Sequence, residues 1–125
     1  MTGGERALIA TAHRLAAADR RACARVARLL AIGELEARAL VGMVAGSRTT
    51  TRSLQADFDL SPGGAAAFAE RLARERLVRA EPDPEQPSAL SLRLTDGAAL
   101  ELDAALAGFA SEIEQILAQG EGTTR

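Results

Sequence analysis

At 125 residues and a formal net charge of −2, the chain is long enough for one hydrophobic core and too short for two. Tyr and Trp are absent and Phe occurs three times, so the core must come from Leu, Val and Ala, a composition that favours helix. One cysteine excludes an internal disulfide and fits a reducing cytoplasm; no apolar run is long enough to span a membrane and no signal-peptide pattern is present.

All fifteen basic side chains are arginines, and they are unevenly placed. Residues 1–52 hold nine arginines against four acids, whereas residues 53–125 hold six against thirteen. Attraction to an anionic partner must therefore come from a local patch, because the global field is weakly negative.

Residues 1–4 are expected to fray. Glu5 to Leu30 reads as a long amphipathic helix, with Leu8, Ala12, Leu15, Ala22, Val26 and Leu29 on one broad face. Away from that face Arg14, Arg21, Arg25 and Arg28 form a stripe. Gly33 interrupts the pattern, and Glu34 to Ala45 resumes it through Leu35, Ala39 and Met43 before Gly46-Ser47 ends the helix. Thr49-Thr50-Thr51 suits a short strand or a helix cap. Arg52 to Phe58 reads as a short helix with Leu54 and Phe58 inward, followed by a turn at Asp59-Leu60.

Ser61-Pro62 is a helix start: the serine can cap the free amides of the first turn, and proline suits a position that needs no N–H partner. Ala65, Phe68, Ala69 and Leu72 share the inner face of this helix, which leaves Gly63, Gly64, Ala66, Ala67, Glu70 and Arg71 outward. Leu77-Val78-Arg79, a loop from Glu81 to Ser88 and the alternating run Leu90 to Leu94 read as a two-stranded wing. Arg76 stands just before the first strand of the wing, where an arginine would take a positive φ only at some cost. Thr95-Asp96-Gly97 opens a last helix, taken as continuous from Ala98 to Gln119 through Leu100, Leu102, Leu106, Phe109, Ile113, Ile116 and Leu117, with Gly120-Glu121-Gly122 ending it. The fold class is α+β, mainly α: a winged helix-turn-helix with long N- and C-terminal helices.

The succession Leu60-Ser61-Pro62, Leu72, Leu77-Val78-Arg79, Asp83-Pro84 and Leu94-Thr95-Asp96-Gly97 resembles the MarR (multiple antibiotic resistance regulator) family over roughly residues 32–105. That resemblance implies a cytoplasmic, dimeric DNA-binding transcriptional regulator, usually a repressor, of a kind that often responds to a small amphipathic ligand or an oxidant. It divides the single domain 1–125 into a DNA-reading lobe at 32–97 and dimerisation helices at 5–31 and 98–119. The partners expected are double-stranded DNA and a second copy of the chain, with no membrane.

The helix beginning at Ser61 would enter the major groove. Gly63, Gly64, Ala66 and Ala67 offer no donors to base edges, so binding is expected to rest on the helix N-terminus at Ser61 and on Arg48, Arg52, Arg71, Arg74, Arg79 and Arg93. The family usually carries an Asp-Arg-Arg-like run in the wing; here the positions are Gln86, Pro87 and Ser88, beside the acids Glu81, Asp83 and Glu85. The alternative reading is therefore a MarR-like dimer that has given up its operator and binds a protein or ligand. Arg14, Arg21 and Arg25 are the candidate receivers of an anionic ligand, the plain alternative being a solvated face. Cys23 lies between Arg21 and Arg25, which would favour thiolate, but its place at the edge of the apolar face suits a buried small hydrophobe better. A single histidine, His13, and no nucleophile–base pair give no ground for a metal, a cofactor or an enzyme.

Overall fold

The computed structural model describes residues 1–46 and 48–123, so Ser47 and residues 124–125 lie outside it. Six helices and three strands follow in the order α1 (Gly3–Leu30), α2 (Glu34–Val44), β1 (Thr49–Thr50), α3 (Thr51–Phe58), α4 (Pro62–Arg74), β2 (Val78–Pro82), β3 (Leu90–Leu94), α5 (Asp96–Ala105) and α6 (Phe109–Thr123). The sheet is antiparallel with β3 in the centre, pairing Thr49 with Leu92 on one side and Val78 with Leu94 on the other.

Local capping chemistry sets most helix starts. The Ser61 hydroxyl accepts from the Gly64 amide at 3.0 Å, and the Thr95 hydroxyl accepts from Ala98 at 3.2 Å. Thr50 is at once the end of β1 and the cap of α3: its hydroxyl accepts from the Ser53 amide while Ser53 Oγ accepts from the Thr50 amide. Thr95 also donates to the Arg76 carbonyl at 2.7 Å, which ties the end of the wing to its beginning. Arg76 sits at φ 61°, so the turn takes the left-handed conformation despite its cost to a side chain.

Three expectations need correction. The N-terminus is not frayed from residue 1 to 4, because Thr2 accepts from the Glu5 amide and α1 begins at Gly3. The C-terminal segment is two helices rather than one. Gly108 takes φ +85°, and the turn Leu106–Gly108 reverses the chain so that α6 packs back along α1. Finally, Gly120 does not end a helix, since α6 continues to Thr123. Gly120 is instead a contact: a Cβ there would lie 2.7 Å from Thr11 Oγ1, so the missing side chain lets the two helices approach.

One apolar cluster holds the lobes together. Phe68, Leu40, Leu54, Leu72, Leu102 and Val26 are its largest fully buried members, drawn from α1 to α5. The inner face expected for α4 (Ala65, Phe68, Ala69 and Leu72) is buried throughout. On α1 the expected face is covered only in part: Ala22 and Val26 are buried, but Leu8 and Leu29 are 68 % and 65 % exposed. Leu100 and Leu117 are also exposed, because the break at Gly108 rotates α5 and α6 out of a common stripe. At the end of the molecule where Thr11 meets Gly120, Leu8, Ile9 and Leu117 stand uncovered within one turn of that contact.

Candidate nucleic-acid interface

The start of α4 is presented to solvent by the turn at Asp59, which takes φ 54°, and by the Ser61 cap. Gly63, Ala66 and Ala67 are exposed and Gly64 half-exposed, giving a smooth outer face without hydrogen-bond donors. Beside it runs an open groove of about 640 Å³ lined by Arg52, Gln55, Leu60, Pro62 and Ser88. It joins α3, the start of α4 and the wing. Gln55 is a polar residue the sequence reading passed over, because only the packing of α3 against α4 shows its amide beside the Ser61 turn.

The arginines fall into two groups. Arg48, Arg71 and Arg74 already face carboxylates. Arg48 bridges Asp83 and Glu85 of the wing loop, with 2.7 Å to Glu85 Oε2; those two acids hold its guanidinium protonated even more firmly than usual. Asp83 is buried, so the acidic loop is folded onto this arginine rather than projecting freely. Arg71 lies over the Phe68 ring at 5.9 Å and 3.9 Å from Glu36, and Arg74 is 3.7 Å from Glu70. Arg52, Arg79 and Arg93 are exposed and make no ion pair among the described residues. Arg79 and Arg93 are direct cross-strand partners on the outer face of the wing. Like charges placed so repel, and an anion between them removes the repulsion.

If the Arg48 bridge holds the wing loop, Arg48→Ala should speed amide exchange from Glu85 to Ala89 while leaving α4 protected. Unchanged protection in that loop would show that the turn at Pro84–Gln86 is held by its backbone alone.

Away from this face, Cys23 is 3 % exposed. Burial pushes its thiol up and Asp19 acts in the same direction, while Arg38 of α2 pulls it down. Arg21 and Arg25, its neighbours in sequence, are not among the charges that set it. Peroxide should therefore leave the protein's binding properties unchanged, and Cys23→Ala should cost about 1 kcal/mol as a small core truncation. Loss of binding at low peroxide, restored by a thiol reductant, would contradict this. The sign of the shift also sets a pH effect. A thiol raised above its unfolded value lends stability that is full below the unfolded pKa and is lost as pH climbs through the alkaline range.

No protein-family model matches the chain, and no curated protein matches it. Solved structures do. A MarR mutant from E. coli complexed with operator DNA is 17 % identical, covers 82 % of this chain and 74 % of its own, and superposes with a TM-score of 0.58. Reduced AbfR bound to DNA is 18 % identical over 94 % of this chain and 88 % of its own, with a TM-score of 0.57. YusO from Bacillus subtilis is 14 % identical over 91 % and 78 %, with a TM-score of 0.56. With its helices around a small three-stranded antiparallel wing, the chain has the winged-helix fold of the MarR-family proteins.

Proposed function

We propose that the protein is a DNA-binding transcriptional regulator that acts as a homodimer, and that it is a ligand-responsive repressor. The observation that carries the DNA reading is the exposed, Ser61-capped α4 with uncompensated arginines on both sides, Arg52 in the groove and the Arg79–Arg93 pair on the wing. Two similar structures, the MarR mutant and AbfR, hold DNA. The dimer reading rests on Leu8, Ile9 and Leu117, three large apolar side chains left exposed near the joined ends of α1 and α6. Arg14, Arg21 and Arg25 remain the proposed receivers of an amphipathic anion.

In this reading α4 lies in the major groove, its N-terminal amides meet a phosphate, and the small outer face permits close approach without reading many bases. Affinity is then mostly electrostatic. A band-shift assay with the DNA flanking the protein's own coding region, at low and moderate salt, tests it. A complex at low salt that weakens steeply as salt rises is expected.

A second reading is favoured by a specific observation: the wing loop carries Asp83 and Glu85, its arginine partner comes from outside the wing, and α4 has no base-reading donors. A MarR-like dimer that has given up DNA for a protein or ligand partner would look the same. No band shift at any salt would move the protein to that class.

A further inference from the structure

Arg21, Arg25 and Arg28 stand on successive turns of α1, and with the α5–α6 turn they enclose a cleft of about 370 Å³, the size of a small-molecule site. Ala22, Ala105 and Phe109 supply its apolar wall, and Gly108 and Phe109 bring the first turn of α6 to its edge. One carboxylate, Glu112, lies in the cleft and is ion-paired with Arg21. The other acid near these arginines, Glu34, lines a second cleft on the neighbouring flank of α1 together with Arg20, Arg21 and Arg28, and is ion-paired with none of them among the described residues. Arg25 and Arg28 have no hydrogen bond or ion pair among the described residues.

Charge decides what such a cleft would hold. Three guanidiniums against one carboxylate leave two positive charges uncompensated. A carboxylic acid would neutralise one of them. A phosphate monoester carries about −1.5 to −2 at neutral pH and would neutralise both, with three oxygens that match the guanidinium fork. The positive end of α6 adds to the same field. We propose that this cleft binds a small organic phosphate monoester, its phosphate held by Arg25 and Arg28 and its apolar body against Phe109. The proposal rests on the ligand-responsive reading above and names the chemical class of that ligand.

Calorimetric titration of the full chain with phenyl phosphate, with inorganic phosphate and benzoate alongside, tests it. Saturable binding of phenyl phosphate is expected, tighter than for either companion. It should weaken as pH falls from about 7.5 to about 5.5, where the second phosphate proton returns. The double variant Arg25→Ala with Arg28→Ala should lose at least about tenfold in affinity without a change in melting temperature, because both side chains are exposed. Lysine at both positions should recover part of the loss. No saturable heat, equal affinity for benzoate, or binding untouched in the alanine variant would each overturn the proposal. Inorganic phosphate binding as tightly as phenyl phosphate would overturn it too, by showing that the apolar wall takes no part. A band shift run with phenyl phosphate separates this site from the wider reading. Calorimetric binding without release of DNA would remove the ligand response and leave the site standing. Release of DNA by another anion, with no heat from phenyl phosphate, would remove the site and leave the response.

Discussion

A chain cut after Ala104 is expected to unfold or aggregate. The deletion removes Ile116, which is buried, and Leu106, Phe109 and Ile113, which are partly buried, and it uncovers the face of α1 that α6 packs along. Even at about 1.5 kcal/mol for each of these four side chains, the loss is on the order of 6 kcal/mol. That is as large as the whole stability of many small domains, so no folded population should survive to be rescued by packing elsewhere. A milder probe reaches the same contact. Gly120→Val places side-chain atoms where Thr11 already stands, and should lower the melting temperature by separating the helix ends without removing any apolar surface. Sedimentation of the truncated chain as a soluble, folded monomer at micromolar concentration would show that α1 to α5 form a complete unit. The dimer proposed from Leu8, Ile9 and Leu117 would then lose its support, since Leu117 and the helix end that α1 packs along come from α6.

The helix-turn-helix was legible because its signals are local. Ser61-Pro62, Thr50 with Ser53, and Thr95 each place a cap within three residues of the amide they serve, so short stretches of sequence contain the whole interaction. The small-residue outer face of α4 followed from the same periodicity that buries Phe68 and Leu72. The break at Gly108 was hidden for the opposite reason. A lone glycine inside an amphipathic pattern is tolerated in many helices, and only the packing of α6 on α1 selects the left-handed turn over a continued helix. Arg48 and Asp83 are separated by 35 residues, so no window on the sequence could show that the acidic wing loop carries its own counter-charge. The same limit applies to Gln55 and to the gathering of Arg28 with Glu112. Each becomes adjacent only after α3 meets α4 or α6 turns back to α1.

Neutralising the arginine pair on the wing should make the protein more stable and a poorer DNA binder. Arg79 and Arg93 face each other across β2 and β3, and like charges so placed cost a few tenths of a kcal/mol, so Arg93→Ala should raise the melting temperature slightly. Each neutralised phosphate contributes about −0.9 to the slope of log affinity against log salt, and removing Arg93 should flatten that slope by about this amount per subunit. Arg71→Ala should flatten it less, because Arg71 is already held between Phe68 and Glu36. Pro87→Arg should act in the opposite direction: it supplies a cation to a wing tip that has none, where Glu85 is already answered by Arg48. Both effects should appear on every DNA sequence tried, since phosphate contacts position a protein without reading bases. Affinity unmoved by both Arg93→Ala and Pro87→Arg would mean that the wing does not approach DNA. The donor-free face of α4 could not hold a duplex alone, and the protein- or ligand-binding reading would become the stronger one.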